Sequence, residues 1–123
     1  MSEDNEQMAI IAWARWQKYQ DGKLADYLHH SPNGGKRHIA TAQRFKKMGV
    51  LAGFPDLFLF IAKGGYHGLF IELKAPKSKT RQAGKVSDNQ QTMLTRLAKQ
   101  GYCTAVCFGA NEAIKTIKEY LEK

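Results

Sequence analysis

Features of secreted and membrane proteins are scarce in this chain of 123 residues. Its two cysteines are too few for a disulfide framework. The longest apolar run, residues 57–62, is far shorter than the roughly 20 residues that cross a bilayer. The first six residues are largely acidic and lack the apolar segment of a signal peptide. We therefore expect one soluble cytoplasmic domain over residues 1–123, with no membrane partner.

Common cofactor and metal motifs are also lacking. The four histidines show no metal-ligand spacing with Cys103 and Cys107, so we expect buried thiols and no zinc site. Gly64 and Gly65 are not followed by the Gly-Lys-Ser/Thr of a phosphate-binding loop, and they indicate a turn. The adjacent histidines at 29 and 30 belong either to a surface turn or to the lining of a cleft. No organic cofactor is therefore expected.

Positive charge, by contrast, is abundant. The chain has 19 Lys and Arg against 11 Asp and Glu, which gives a net charge of +8. Ten of the positive residues fall in two stretches without acids, and these are Lys36, Arg37, Arg44, Lys46 and Lys47, then Lys74, Lys77, Lys79, Arg81 and Lys85. Two solvated surfaces would give this pattern, and so would two contact surfaces for a polyanion such as nucleic acid.

Hydrophobic periodicity predicts a mixture of helices and strands. Helices are expected at residues 3–20, 37–48, 87–99 and 111–121. Strands are expected at residues 24–29, 56–63, 68–75 and 104–108. The second helix would point four apolar side chains inward, those of Ile39, Ala42, Phe45 and Met48. The strands at 56–63 and 68–75 would form a hairpin covered on both faces. This order indicates an α/β domain with a small mixed β-sheet flanked by helices.

Three charged residues interrupt the apolar centre of the chain, namely Asp56, Glu72 and Lys74. Charged side chains are rarely buried in strands without a partner or a function. Glu72 and Lys74 are two residues apart, so they share one face of a strand. Pairing of the hairpin would bring Asp56 close to Glu72, and a divalent cation would relieve the repulsion between the two carboxylates.

Such a cluster suits phosphodiester hydrolysis. Carboxylate oxygens are the ligands that Mg²⁺ or Mn²⁺ prefers, and the cation can activate water for attack on phosphorus. An ammonium such as that of Lys74 can hold the phosphate, orient the water or stabilise the developing charge. A Glu-x-Lys pair alone is more often a surface ion pair, but here apolar residues enclose it and a Pro-Asp pair opens the preceding strand. We therefore expect a metal-dependent hydrolytic site.

The same residues carry a family resemblance. The segments Gly53-Phe54-Pro55-Asp56-Leu57 and Ile71-Glu72-Leu73-Lys74 match the PD-(D/E)XK nuclease signature. Three further features are Glu3, Gln7 and Trp13 on the first helix, Asn33-Gly34-Gly35 before a basic helix, and Ser87-x-x-Gln90 opening a helix that runs to Gly101-Tyr102. From about residue 3 to residue 121, the chain resembles the VRR-NUC (virus-type replication-repair nuclease) family, in the small stand-alone form found in phages and prophages.

The resemblance implies a restriction-endonuclease-like fold and an Mg²⁺-dependent DNA endonuclease, in which Mn²⁺ could substitute. It implies four metal ligands, namely Asp56, Glu72, the Leu73 carbonyl and a glutamate of the first helix. Glu3 and Glu6 both qualify for that last place, and we favour Glu3 because it shares a helical face with Gln7. Lys74 would be the catalytic lysine, and Gln90 would orient the water or a phosphate.

The resemblance also implies a substrate and an assembly. The small family members are similar to Holliday-junction resolvases, which form homodimers and cut branched DNA, so we expect both here, in a bacterial host cell if a phage encodes the chain. The basic helix and the basic loop would contact the DNA backbone through Lys36, Arg37, Arg44, Lys46, Lys47, Lys77, Lys79, Arg81 and Lys85. Two alternatives stay open: a nuclease of the same fold that acts on flaps, single strands or RNA, and a DNA-binding module without catalysis.

Overall fold

The structure, a computed structural model, describes residues 2–32 and 39–123. Its helices are α1 (Glu3–Ala14), α2 (Ile39–Lys47), α3 (Asp88–Lys99) and α4 (Ala110–Leu121). Its strands are β1 (Lys18–Tyr19), β2 (Gly22–Lys23), β3 (Leu28–His30), β4 (Leu57–Leu59), β5 (Leu69–Lys74) and β6 (Cys103–Phe108). A 3₁₀ turn spans Leu24–Tyr27. These elements confirm the expected α/β class.

A mixed four-stranded sheet, in the order β3-β4-β5-β6, forms the centre of the fold. β4 pairs antiparallel with β3 and β5, whereas β6 runs parallel to β5. Antiparallel neighbours need only a short connection, and β4 and β5 form the predicted hairpin. A parallel neighbour needs a crossover, which α3 provides between β5 and β6.

The two faces of the sheet carry different side chains. Residues 69, 71 and 73 of β5 pack into the main apolar core with residues of α1, β4 and α4. Alternation along the strand sends Phe70, Glu72 and Lys74 to the opposite face. There Phe70 stacks on Phe58 with ring centroids 4.2 Å apart. All six residues of β5 are buried, so the two charged side chains lie inside the protein.

The first helix is shorter than predicted, because residues 18–23 form the β1–β2 hairpin instead of further helical turns. Gln20 at the tip has a positive φ of 50°, a conformation that ends a helix. The strand predicted at residues 24–29 is divided between the 3₁₀ turn and β3, and β4 stops at Leu59 instead of residue 63. Apolar periodicity over so few residues does not distinguish a tight hairpin from a helix end.

The prediction that α2 packs inward is wrong. None of the residues that the structure describes in α2 is buried, and the side chains of Ile39 and Met48 are 74% and 69% exposed. Amphipathic spacing shows that a helix has an apolar face, but it does not show what covers that face. The Asn33-Gly34-Gly35 segment and the predicted start of the helix at Arg37 lie outside the described residues.

Two further observations concern the rest of the chain. Within the described part of the chain, no helix is both long and apolar enough to cross a membrane. Cys107 is a buried free thiol, as predicted, with its Sγ 3.4 Å from Thr116 Oγ1. Cys103 is only half-buried.

Candidate active site

Strand pairing places Asp56 beside Glu72. The β4–β5 register pairs Leu57 with Ile71, so the next position outward sets Asp56 opposite Glu72. Directly opposed residues of an antiparallel pair project to the same face. Asp56 is 8% exposed and Glu72 1% exposed, so both carboxyl groups lie inside the protein.

Three contacts hold the backbone and side chain of Asp56. Its carbonyl accepts the Ser31 N–H at 2.8 Å and lies 2.9 Å from His30 Nδ1. Because a carbonyl oxygen can only accept a hydrogen bond, His30 Nδ1 carries the proton in this contact. His30 also lines the cavity described below. The carboxylate Oδ2 of Asp56 accepts the Leu73 N–H at 2.7 Å. Both ends of the residue are therefore fixed against β3 and β5.

Glu72 contacts both Lys74 and Gln90. Its Oε2 lies 3.8 Å from Lys74 Nζ and accepts a hydrogen bond of 3.2 Å from Gln90 Nε2. Gln90 Oε1 accepts the Ser87 N–H at 2.9 Å, as part of the capping box that begins α3. The Gln90 amide thus joins the cap of α3 to Glu72 and lies beside the site.

Burial changes the protonation of Glu72. The pKa of Glu72 is raised to about 9. Burial has the largest effect, followed by the hydrogen bond with Asp56 and the charge of Asp56. The Lys74 ammonium lowers this pKa, but its effect is smaller than that of burial. Without a cation, Glu72 therefore keeps a proton at neutral pH. Its Oε1 is buried and has no hydrogen-bond partner among the residues that the structure describes.

The two candidate glutamates of α1 have different surroundings. Glu3 lines a cavity of about 510 Å³ together with Asp56 and Leu73. The pKa of Glu3 is raised mainly by burial and to a smaller extent by the charge of Asp56. Glu6 is buried away from this cavity lining, where its Oε2 accepts the Ala110 N–H at 3.2 Å and so caps α4. The geometry therefore favours Glu3 over Glu6 as a ligand.

The donors at the site fit a hard divalent cation. Within residues 2–32 and 39–123, no three His, Cys, Asp or Glu side chains already converge on one metal position. Mg²⁺ needs fewer side chains, since it keeps several waters and often binds through one or two carboxylates. Glu72 Oε1 is a buried acceptor without a partner in the described chain, which a cation would satisfy. The Leu73 carbonyl points to the same side of β5 as its N–H, the side on which Asp56 lies.

The predicted DNA-contacting residues that the structure describes are exposed. They are Arg44, Lys46 and Lys47 on α2 and Lys77, Lys79, Arg81 and Lys85 in the segment after β5. That segment folds back on the site, because Gly84 donates its N–H to the Ala75 carbonyl at 3.1 Å. A Cβ on Gly84 would lie 3.3 Å from the Lys74 side chain. Lys36 and Arg37 lie outside the described residues.

Gly53 and Gln7 have surroundings that the sequence did not reveal. Gly53 has a positive φ of 77°, and a Cβ there would lie 2.5 Å from the Asn89 backbone at the start of α3. Its place in Gly-Phe-Pro-Asp was a signal for this close approach. Gln7 belonged to the family resemblance without a role, and the structure places it, buried, in the lining of the same cavity.

Comparisons with known proteins agree with this geometry. A model of the VRR-NUC domain family matches residues 2–111, a range that includes the candidate site from Glu3 to Gln90. A solved structure of a VRR_NUC domain protein is 38% identical, with a TM-score of 0.84, and the match covers 99% of this chain and 89% of that chain. A search of curated proteins returns no match. The resemblance in the sequence motifs and the predicted fold class are thereby confirmed.

Proposed function

Because the chain belongs to the VRR-NUC family, whose domain is a nuclease of the PD-(D/E)XK type, we propose that it is a metal-dependent DNA endonuclease. The observation that carries the proposal is the buried pair of Asp56 and Glu72, with the Lys74 ammonium 3.8 Å from Glu72. Nucleases of this family depend on metal ions in general. The oxygen donors of this site suit Mg²⁺, for which Mn²⁺ could substitute.

Each group at the site has a distinct task in hydrolysis. The carboxylates of Glu3, Asp56 and Glu72 and the backbone carbonyl of Leu73 would hold the cation. When bound, it lowers the pKa of a water and offsets the charge of the phosphate. Lys74 donates to a phosphate oxygen and stabilises the negative charge that develops during attack. Gln90 keeps Glu72 in place through its hydrogen bond to Oε2.

The basic residues would bind the DNA backbone. The exposed cations of α2 and of the segment after β5 can contact successive phosphates. Contacts of this kind position the duplex without reading its sequence. The affinity should therefore fall steeply as the salt concentration rises.

We further propose that the protein is a homodimer that cuts branched DNA, such as a Holliday junction. Support for the dimer comes from the exposed apolar side chains of α2 and the residues after it, namely Ile39, Met48, Val50 and Leu51, which we call the α2 surface. Exposed apolar patches mark interaction surfaces. A two-fold dimer would present two active sites to two strands of a junction. The preference for branched DNA rests on the family resemblance.

Cleavage of a labelled four-way junction tests the nuclease assignment. Wild-type protein should cleave it with Mg²⁺ and not with EDTA, and Asp56→Ala should be inactive while still binding the junction. Asp26→Ala is a matched control, because Asp26 is an exposed carboxylate whose hydrogen bond is to the Lys23 N–H. Equal cleavage by wild type and Asp56→Ala would place the reaction elsewhere. Binding without cleavage by the wild type would instead indicate a non-catalytic DNA-binding module.

A panel of substrates at one salt concentration tests the preference for junctions. Flaps, single strands and RNA should be cut more slowly than the four-way junction. Mapping the cut positions adds a second criterion, since a dimer that resolves junctions makes paired symmetric nicks. Scattered nicks, or faster cleavage of flaps, would assign the same site to another nucleic-acid structure.

A further inference from the structure

Gln7 is a buried polar residue without a partner in the described chain. It is 8% exposed, and neither its Oε1 nor its Nε2 has a hydrogen-bond partner among the residues that the structure describes. A buried amide that makes no hydrogen bond destabilises a protein. Its neighbour Glu6 is buried to the same degree but accepts the Ala110 N–H. Packing alone therefore gives no reason for a glutamine at this position.

The position of Gln7 connects it to the cation site. Gln7 lies one helical turn after Glu3, on the same face of α1, and both residues line the cavity that Asp56 and Leu73 also line. The next position on this face is taken by the apolar core, since Ile10 and Ala14 are both fully buried. An apolar side chain at residue 7 would continue that core. The glutamine instead brings an amide to the edge of the cavity.

The chemistry of an amide suits the outer shell of a cation. Mg²⁺ keeps several waters when it binds to a protein, and each of those waters must donate its hydrogens to an acceptor. The Gln7 Oε1 can accept from such a water, and Nε2 can donate to a carboxylate that holds the ion. Groups that support metal ligands in this way raise metal affinity without touching the metal.

We propose that Gln7 is a positioning residue of the cation site, which hydrogen-bonds a water of the hydration shell and a carboxylate ligand. The proposal rests on the proposed metal-dependent function. It assigns to the first helix two tasks on one face, with Glu3 as a direct ligand and Gln7 as its support. It also gives both polar atoms of Gln7 the partners that the described chain does not provide.

Substitution of Gln7 by methionine tests the proposal, because methionine has a similar length and flexibility but no amide. The first measurement is calorimetric titration of the protein with MgCl₂ alone. We expect Gln7→Met to weaken Mg²⁺ binding by roughly 10-fold to 100-fold, the effect typical of lost outer-shell contacts. Gln7→Glu restores the acceptor and should bind Mg²⁺ within a few-fold of the wild type. Gln91→Met makes the same chemical change on the exposed face of α3 and should leave the affinity unchanged.

Thermal unfolding in EDTA separates this role from a structural one. Gln7→Met should melt at or above the temperature of the wild type, because it removes a buried amide without partners. Its cleavage rate should recover at saturating Mg²⁺. Wild-type affinity for Mg²⁺ in folded Gln7→Met, or a lower melting temperature with unchanged affinity, would overturn the proposal while leaving the nuclease assignment intact. A wild type that neither binds Mg²⁺ nor cleaves DNA would overturn both.

Discussion

The protonation of Glu72 links the stability of the cation-free protein to pH. Its pKa is about 9 in the folded protein against 4.5 as the ordinary value, so the folded state binds this proton more tightly than the unfolded state. The stability associated with the proton is present below pH 4.5 and is lost as the pH rises through the interval toward 9. A single proton changes the free energy of unfolding by at most about 1.4 kcal/mol per pH unit.

Glu72→Gln removes this titration and should therefore flatten the dependence of the free energy of unfolding on pH. In EDTA, the free energy of unfolding of the wild type should fall relative to that of Glu72→Gln between about pH 6 and about pH 8. Urea unfolding at the two pH values measures the difference. Mg²⁺ should stabilise the wild type more at pH 8 than at pH 6, because removing the proton from Glu72 costs less free energy as the pH approaches its pKa, and it should have little effect on the variant. Parallel pH profiles of the two proteins would show that Glu72 is not protonated in the folded state.

The convergence of Asp56, Glu72 and Lys74 could be predicted from sequence, whereas the contacts that support these residues could not. A two-residue alternation places Glu72 and Lys74 on one face, and hairpin pairing brings Asp56 to them. The choice between Glu3 and Glu6 depends on a contact between Glu6 and Ala110, which are 104 residues apart. Local patterns contain no information about such a contact. The burial of Gln7 escaped prediction for the same reason.

At the scale of elements, Gly53 sets the distance between the Pro-Asp segment and α3. Gly53→Ala would introduce a Cβ 2.5 Å from the Asn89 carbonyl carbon and 2.7 Å from the Gln90 nitrogen, at a positive φ that alanine adopts poorly. The start of α3 would have to move, and with it the Gln90 amide that holds Glu72. We expect a loss of more than about 1 kcal/mol of stability and a lower cleavage rate.

Gly65→Ala is the matched control for this substitution. Gly65 also has a positive φ, 86°, but no atom of the described structure lies within 4 Å of a Cβ placed there. It should therefore lose stability from backbone strain alone and keep its cleavage rate. Urea unfolding and single-turnover cleavage of both variants make the comparison. If Gly53→Ala behaved like Gly65→Ala in both measurements, α3 would not depend on this close approach.

The types and order of the long elements could be predicted, because β5 lies in a short apolar run, α3 and α4 have clear helical periods, and α3 begins with a capping box. The C-terminal end of α1 and the packing of α2 could not. The β1–β2 hairpin has only two residues in each strand, too few to show an alternation. The apolar spacing of α2 is the same whether the helix faces its own sheet or another surface.

At the scale of the whole molecule, the α2 surface should determine the state of assembly. Ile39→Glu and Met48→Glu each place a charge on this surface, which should convert a dimer to a monomer without unfolding it, because both residues are mostly exposed. Trp16→Glu is the control, since Trp16 is 83% exposed but lies just after α1. Light scattering at micromolar concentration gives the mass of each protein. A wild type that is monomeric, or variants that stay dimeric, would contradict the assignment of this surface.

The most direct test of the reaction centre replaces Lys74 by methionine, which keeps the length of the side chain and removes its ammonium. The measurement is single-turnover cleavage of a four-way junction at saturating Mg²⁺ and protein, with Lys18→Met as the control, since Lys18 is an exposed lysine of β1 that takes no part in the proposed DNA contacts. We predict that Lys74→Met binds Mg²⁺ and DNA but cleaves roughly 100-fold more slowly, the effect expected when one group that stabilises the transition state is lost. Lys18→Met should cleave at nearly the wild-type rate. Undiminished cleavage by Lys74→Met would show that the hydrolytic chemistry does not occur where Asp56, Glu72 and Lys74 meet.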